Sequence, residues 1–285
     1  MKRDWSRKPR APIFILGTGR SGTTVLGVVL SLHPDISFLN EPKALWHLVV
    51  PDEDIIGSYS RNAGRYRLGT DDATPTVRER IQRLYGACLT LTRSTRILDK
   101  YPEMIFRLPF LIELFPDARF LLLVRNGTDI CRSVETWSQH HSISGIEGNA
   151  NWWGLNDRKW RMLTEQLLPE DEWLGKQAST IAQLDCHRDR AAVEWMLTMH
   201  EGLKLRAEYG NVIMRVNYED LTREPVSTLS AVMDFCHLAP DDRVLEYGAD
   251  VIAHRERRDE NDLGLNPAIA EAFSATMERL GYGRI

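Results

Sequence analysis

Pro12-Ile-Phe-Ile-Leu-Gly-Thr-Gly-Arg-Ser-Gly-Thr-Thr24 decides the fold, because in it an apolar strand runs into a glycine-rich loop. A helix is predicted to follow, from Ser21 to Leu32. The first turn of a helix carries N–H groups without intrahelical partners and the positive end of the helix dipole, and both attract anions. Glycines let the backbone approach the anion, while charged and hydroxyl side chains add donors; these residues are Gly17, Gly19, Gly22, Arg20, Thr23 and Thr24. The stretch therefore predicts a phosphate-binding unit.

Short apolar runs alternate with longer helical patterns along the rest of the chain. The predicted strands are Ile13–Leu16, Ile36–Leu39, Thr95–Leu98, Arg119–Val124 and Val212–Val216. The predicted helices are Ser21–Leu32, Val77–Leu91, Glu103–Phe115, Thr128–Gln139 and Arg190–Tyr209. This alternation is typical of βαβ units, so we expect one α/β domain with a central parallel sheet flanked by helices. The expected domain spans residues 12–285 and follows a basic N-terminal tail, residues 1–11.

Two segments interrupt the alternation, and a C-terminal tail follows it. Asp52–Thr76 is polar and is predicted to be a loop or irregular insertion. Residues 145–183 form an expected helical insertion that is rich in tryptophan: Trp152, Trp153, Trp160 and Trp173. The C-terminal tail, residues 251–285, carries the charged run Arg255–Asp262 and then an amphipathic helix from about Asn266 to Leu280. The tryptophans either line a ligand cleft or pack a lid, and the sequence leaves both possibilities open.

The composition limits the classes of function. Of the 285 residues, 43% are apolar and 27% are charged, as in ordinary globular proteins, and the net charge of −4 does not suggest a nucleic-acid partner. No apolar run reaches the roughly 18 residues of a membrane span, and the N-terminal apolar stretch is too short for a signal peptide. The four cysteines are widely spaced, which argues against a zinc site or a disulfide framework. We therefore expect a reduced, cytoplasmic protein.

Two common phosphate-binding motifs match the first loop in part. The spacing of Gly17, Gly19 and Gly22 is that of the dinucleotide fingerprint, and Glu41 lies 19 residues after Gly22, near where a ribose-binding acid belongs. Gly17 and Gly22 also have the spacing of a nucleoside-triphosphate loop, but Thr23 stands where that loop needs a lysine. A kinase or NTPase would lack the side chain that reaches its terminal phosphates.

A third interpretation starts from Arg20. Arg20-Ser-Gly-Thr-Thr24 after a strand resembles the 5′-phosphosulfate loop of sulfotransferases that use 3′-phosphoadenylyl sulfate (PAPS). The resemblance extends from Pro12 to about Pro225 and implies a P-loop-like sulfotransferase fold, with Gly19, Ser21, Gly22, Thr23 and Thr24 binding the donor together with Arg20. It is weak in the tryptophan-rich insertion and in the tail.

A second element supports this resemblance. A predicted strand ends before Arg125, and Ser133 follows eight residues later on the next helix, a spacing similar to that of the family's 3′-phosphate site. A guanidinium at the strand end and a hydroxyl two turns along the helix can converge on one dianion. The segment Tyr218-Glu-Asp-Leu221 also resembles a family segment in which the tyrosine faces the adenine of the donor, although Tyr218 fits a core position equally well. Arg257 or Arg258 would reach the 3′-phosphate if the tail closes over the nucleotide, but the Arg-Lys-Gly pattern typical of such a tail is missing.

Sulfuryl transfer needs a base for the acceptor proton and fixed cations for the departing oxygen, and it needs no metal. Glu41 is the predicted base, because its position 21 residues after Arg20 is similar to that of the catalytic glutamate in protein-tyrosine sulfotransferases. Lys100 stands where the family residue that contacts the sulfuryl group or bridging oxygen is found, and Arg20 is expected to assist it. His140 and His141 are a reserve hypothesis for the base. The acceptor, a small molecule, lipid, glycan or peptide, and the oligomeric state are not predicted, and the competing hypotheses are a P-loop kinase or NTPase and a nucleotide-binding module without turnover.

Overall fold

The predicted apolar runs become the strands of a parallel sheet. The computed structural model describes residues 7–61, 64–145, 148–252 and 263–283. The strands are β1 (Ile13–Gly17), β2 (Ile36–Asn40), β3 (Arg96–Lys100), β4 (Arg119–Val124), β5 (Ile143–Gly145), β6 (Gly148–Asn151), β7 (Gly154–Leu155) and β8 (Ile213–Asn217). The α-helices are α1 (Thr23–Leu30), α2 (Lys43–Val49), α3 (Pro75–Thr92), α4 (Leu108–Leu114), α5 (Gly127–His141), α6 (Arg158–Gln166), α7 (Ala178–Ile181), α8 (His187–Tyr209), α9 (Tyr218–Arg223), α10 (Pro225–Phe235), α11 (Asp242–Val251) and α12 (Pro267–Leu280).

The described residues divide into two compact units. The first comprises those among 1–50, 68–124 and 204–256, and the second those among 51–67, 125–203 and 257–285. The first unit holds the five-stranded sheet, and the second holds a small three-stranded sheet together with most of the tryptophans. The division that the sequence suggests, into a basic N-terminal tail and one domain that contains a tryptophan-rich insertion and a C-terminal helical tail, remains a prediction.

The five strands of the first unit are all parallel, in the order β2-β3-β1-β4-β8. Both faces of this sheet are covered, which explains why the strands read as unbroken apolar runs rather than as alternating patterns. Ile13 and Ile15 pack on one face in a cluster with residues of α1, α10 and α11. Phe14 points to the other face, where its ring stacks on that of Phe120 at 5.4 Å. The α/β fold with a central parallel sheet is therefore confirmed.

Local chemistry shifts several predicted boundaries. β3 extends to Lys100, two residues beyond the predicted end, because Lys100 pairs with Ile15 of β1 and with Asn40 of β2. The helix predicted from Glu103 to Phe115 is a 3₁₀ helix, Pro102–Arg107, followed by α4. A proline lies in the first turn of each, and proline is tolerated there but not in a helix interior.

The tryptophan-rich insertion of the second unit is helical only in part. It begins with an antiparallel sheet in the order β5-β6-β7, and α6 follows. Gly148 and Gly154 have φ angles of +124° and +80°, which favour glycine and turn the chain between short strands. Trp153 and Trp160 are buried, whereas Trp173 is 40% exposed, so two of the four rings serve packing. Among the described residues, no helix combines the length and apolarity needed to cross a bilayer.

Candidate active site

The loop predicted to bind phosphate, called the phosphate-binding loop below, lies between β1 and α1 in the first unit. Gly17 ends β1 with φ +144°, and a Cβ there would lie 2.8 Å from the carbonyl oxygen of Leu123. The hydroxyl and the N–H of Ser21 donate to the carbonyl oxygen of Thr18, at 2.6 and 3.3 Å, and so close a tight turn. α1 then begins at Thr23 without a capping side chain in the described structure and without an acidic residue in its first turn. The positive end of this helix is therefore directed at the loop.

At Gly22 the backbone of this loop lies directly against an aromatic side chain. Its φ angle is +96°, and a Cβ at this position would lie 2.5 Å from Cδ2 and 2.6 Å from Cε2 of the Tyr218 ring. Tyr218 opens α9, directly after β8, and its ring therefore lies against the phosphate-binding loop. The role predicted for Tyr218, facing the adenine of the donor, stays a prediction.

Substituting Gly22 by alanine is expected to distort the loop. The new methyl group would clash with Tyr218 and hold alanine at a φ that L residues avoid, so we expect the free energy of unfolding to fall by about 2–4 kcal/mol. Urea denaturation measures this change. Gly69→Ala is the matched control, because a Cβ there has no neighbour within 4 Å and the φ of Gly69 is −107°. Equal stabilities of the two variants would contradict the tight approach.

The other loop residues differ in their exposure. Arg20 and Thr24 are exposed, and Arg20 has φ +69°, a left-handed conformation that is uncommon outside glycine. Thr23 is only 3% exposed, and Ser21 is fully buried. The hydroxyl of Ser21 is already used in the turn, so this side chain shapes the loop. The ligand roles predicted for Gly19, Ser21, Thr23 and Thr24 remain predictions.

Glu41 and Lys100 form an ion pair at the carboxyl edge of the sheet. The Lys100 Nζ lies 2.5 Å from Oε1 of Glu41. The N–H of Glu41 also donates to the carbonyl oxygen of Lys100 at 2.7 Å, which ties the end of β2 to the end of β3. Glu41 has φ +47°, so two predicted catalytic residues, Arg20 and Glu41, adopt the left-handed conformation. Strain of this kind occurs frequently at functional sites.

Lys43 is a further cation at Glu41 that the sequence analysis missed. Its Nζ lies 3.2 Å from Oε2 of Glu41 and 5.6 Å from the centre of the Tyr101 ring. The side chains of Glu41 and Lys43 are 38% and 23% exposed, whereas that of Lys100 is 2% exposed. The helix-forming pattern of Lys43–Val49 could have been found after Pro42, and it would have placed Lys43 in the first helical turn.

A buried hydrogen-bond network supports this edge of the sheet. Oδ2 of Asp99, beside Lys100, accepts hydrogen bonds from Trp46 Nε1 at 2.9 Å and from the Tyr85 hydroxyl at 2.6 Å. Burial raises the pKa of Tyr85 well above its ordinary value, and the nearby Asp99 carboxylate raises it further, so this hydroxyl stays protonated and donates. Trp46 belongs to α2, and this bond therefore anchors the helix that follows Glu41 to β3.

Arg125 and Ser133 belong to the second unit. Arg125 follows β4 directly, and its Nη2 lies 3.4 Å from Oδ2 of Asp129, one helical turn into α5. The indole N–H of Trp195 donates to the carbonyl oxygen of Arg125 at 3.1 Å, and the side chain of Asn126 caps α5 by accepting from the N–H of Thr128. Ser133 lies two turns along α5. The predicted strand–Arg–helix–Ser arrangement is present, and its role at a 3′-phosphate stays a prediction.

The remaining candidates are less informative. His140 and His141 end α5, where Nδ1 of each is hydrogen-bonded to the carbonyl oxygen four residues earlier. The run Arg255–Asp262, with Arg257 and Arg258, lies outside the described residues. No three His, Cys, Asp or Glu side chains in the described ranges are grouped as ligands for a metal ion.

The side chains of the first unit argue against a dinucleotide site and a nucleoside-triphosphate site, two of the three interpretations of the loop. Both carboxylate oxygens of Glu41 contact ammonium groups, whereas a ribose-binding acid accepts hydrogen bonds from hydroxyl groups. The position after Gly22 carries no lysine, as a nucleoside-triphosphate loop would require. The loop predicted to bind an oxyanion thus lies at the same sheet edge as a carboxylate and two lysines, an arrangement that suits group transfer to a hydroxyl.

Comparison with known proteins agrees with this geometry. Residues 12–175 match the model of the sulfotransferase family. The nodulation protein NoeE of Sinorhizobium fredii is 33% identical over 143 residues, which are 48% of this chain and 34% of that protein. A protein-tyrosine sulfotransferase of Drosophila melanogaster is 27% identical over 192 residues, which are 65% of this chain and 36% of that protein. The chain thus spans about a third of the length of these two curated relatives.

Solved structures share the fold. The sulfotransferase domain from the curacin biosynthetic pathway aligns with a TM-score of 0.55 and 14% sequence identity, over 98% of this chain and 100% of that domain. An identity this low establishes the fold alone, whereas the family model covers more than half of the chain. The strand–loop–helix unit, the parallel sheet and the matched residues lead to one conclusion: this chain belongs to the sulfotransferase family.

Proposed function

We propose that this protein transfers a sulfuryl group from PAPS to a hydroxyl or similar acceptor and releases 3′,5′-ADP. One observation carries the proposal: the anion-binding loop and the Glu41–Lys100 ion pair occupy the same carboxyl edge of one parallel sheet. Ligands of open α/β sheets bind at this edge. Family membership supplies the chemistry, and the geometry supplies the residues that would perform it.

The residues present fit a phosphosulfate. The N–H groups at the start of α1 and the Arg20 guanidinium are donors suited to oxyanions, and Gly22 supplies the positive φ and the missing Cβ that the turn beside Tyr218 requires. When bound, PAPS supplies an activated sulfuryl group whose S–O bond to the 5′-phosphate breaks. Lys100 and Arg20 would stabilise the negative charge that develops on that bridging oxygen.

Glu41 is the proposed general base. In the transfer step, the acceptor oxygen forms a bond to sulfur while the S–O bond to the 5′-phosphate breaks with its electron pair. The acceptor proton passes to the carboxylate of Glu41. Lys43 would hold the second carboxylate oxygen, so that Glu41 keeps its orientation when Lys100 interacts with the donor.

Arg125 and Ser133 are the proposed ligands of the 3′-phosphate. Replacing Arg125 by alanine is expected to weaken the binding of 3′,5′-ADP by about 10- to 100-fold, the worth of a charge-assisted contact to phosphate. The affinity for 5′-AMP, which lacks the 3′-phosphate, should change little. Isothermal titration calorimetry with both nucleotides measures the difference, and equal losses for the two would contradict the assignment.

A ligand comparison tests the proposed function against its rivals. A ligand that binds only the folded protein raises its melting temperature by mass action, so 3′,5′-ADP should stabilise the protein more than ATP with Mg²⁺ or NAD. Stabilisation by ATP–Mg²⁺ alone would favour a kinase or NTPase, and stabilisation by NAD alone would favour a dinucleotide enzyme. A nucleotide-binding module without turnover would bind 3′,5′-ADP and form no product from PAPS with any acceptor in a panel of phenols, sugars, lipids and tyrosine peptides.

A further inference from the structure

We propose that the second unit contains an oxyanion-binding site. It is formed by two segments that contain none of the residues proposed for sulfuryl transfer. A cleft of about 560 Å³ is lined by two segments: loop residues within 57–61, and residues within 155–161, where β7 leads into α6. Three arginines from these two segments line it: Arg61, Arg158 and Arg161. Its described lining includes no acidic side chain. The group recognised is a carboxylate, sulfate or phosphate on a ligand.

The loop that carries Arg61 is shaped by a buried carboxylate. Asp54 is 4% exposed, and its two oxygens accept hydrogen bonds from four successive backbone N–H groups, those of residues 57–60, at 2.8–3.3 Å. Burial by itself raises the pKa of Asp54, but these four donors outweigh it and lower the pKa, so the carboxylate remains charged. The negative charge of Asp54 is thus directed at its own loop, and Ser60 and Arg61 are held at the cleft.

The second segment is joined to this loop by hydrogen bonds to backbone carbonyl groups. Arg158 donates from Nε and Nη2 to the carbonyl oxygen of Asp54, at 3.2 and 2.8 Å. The N–H of Leu155 donates to the carbonyl oxygen of Ile56 at 3.0 Å. Arg161 donates from Nη1 to the carbonyl oxygen of Asn156 at 2.9 Å. These bonds fix the direction of two guanidinium groups before any ligand binds, which reduces the entropy lost on binding.

The charges and donors around the cleft specify the class of ligand. Asp157 lies within the second segment, between β7 and α6, and its Oδ2 lies 3.1 Å from Nη1 of Arg190. Arginine presents planar N–H donors that match the geometry of oxyanions, and Ser60 and Asn156 add a hydroxyl and an amide. The lining therefore offers a concentration of donors suited to a negatively charged group.

Methyl NMR spectroscopy tests this site without an activity assay. In protein labelled at the leucine methyl groups, Leu155 reports on the cleft and Leu26 of α1 reports on the phosphate-binding loop, each assigned by substitution with methionine. Sulfate, pyrophosphate and citrate are titrated separately at constant ionic strength. We expect saturable shifts at Leu155, and the order of affinities distinguishes sulfate, phosphate and carboxylate ligands.

A pair of charge-matched variants identifies the groups responsible. The double variant Arg61→Gln/Arg161→Gln should weaken binding at Leu155 by about 10-fold or more, the effect of losing a charged hydrogen bond. It leaves in place Arg158, which supports the loop. Arg80→Gln/Arg83→Gln removes the same charge from an exposed surface of α3 and should leave the affinity unchanged. Absence of saturable shifts at Leu155, or equal weakening in both variants, would overturn the proposal, whereas the result at Leu26 bears only on the phosphate-binding loop.

Discussion

Replacing Glu41 by alanine is expected to lower kcat by about 10²- to 10⁴-fold, the usual contribution of a general base. The reason is that the acceptor hydroxyl would then have to lose its proton to water while its oxygen attacks sulfur. Binding of 3′,5′-ADP should stay close to that of the unmodified protein, because the proposed donor ligands are elsewhere. Release of 3′,5′-ADP from PAPS, with the best acceptor of the panel described above, measures the rate.

Two further variants separate the loss of the base from damage to the site. Glu41→Gln keeps the shape of the side chain and removes its basicity, so its kcat should fall as far as that of the alanine variant. Glu41→Asp keeps the carboxylate and shortens its reach, and it should recover part of the activity. Full turnover in Glu41→Gln would show that Glu41 is not the base, and attention would pass to His140 and His141, which close α5.

Replacing Lys100 by methionine is expected to lower kcat by about 10²- to 10³-fold, the scale found when one preorganised donor to a developing charge is removed. The side chain of Lys100 is 2% exposed, and a cation in such a place interacts strongly with a developing negative charge because little water screens it. Methionine fills a similar volume without the charge, and Glu41 is 38% exposed and keeps Lys43 as a partner, so no buried charge is left unpaired and the melting temperature should change little.

Lys43→Met is the matched control for Lys100. It removes the other ammonium group that contacts Glu41, but Lys43 is 23% exposed and is proposed to orient Glu41 rather than to contact the donor. Its kcat should therefore fall by less than about 10-fold, the smaller effect expected for a screened surface pair. Equal losses of kcat in the two variants would contradict the separate role given to Lys100, and unchanged turnover in Lys100→Met would remove it from the mechanism.

Much of the fold could be predicted because it depends on local pattern. Five buried strands show as short apolar runs, and the helices between them show as longer amphipathic stretches, so the parallel sheet follows from alternation alone. The first loop was identifiable for the same reason, since Gly17 and Gly22 are needed where the backbone has positive φ. The ends of the elements were less accurate: the pairing of Lys100 with two neighbouring strands extends β3, and pairing depends on residues far away in the sequence.

The side-chain contacts within the site could not be predicted from the sequence, because they join residues from different elements. Glu41 was predicted as a base from its position, but its two lysine partners come from different elements, and a helix pattern that places Lys43 in a first turn does not show that its side chain reaches Glu41. The polar segment after Asp52 gave no indication of function, yet Asp54 organises it into a loop that brings an arginine beside two others from α6. Such sets form across about 100 positions of sequence, and a periodic pattern describes only neighbours along one element.

The amino-acid sequence by itself determined the α/β class, the glycine-rich loop from Gly17 to Thr24 and the family resemblance, because each of these depends on short-range patterns and spacings within successive strands, turns and helices. Tertiary structure alone decided that Tyr218 lies against Gly22, that Lys100 is buried and that Glu41 contacts two ammonium groups. The physical reason is that burial and ion pairing depend on which side chains the parallel sheet brings to its carboxyl edge.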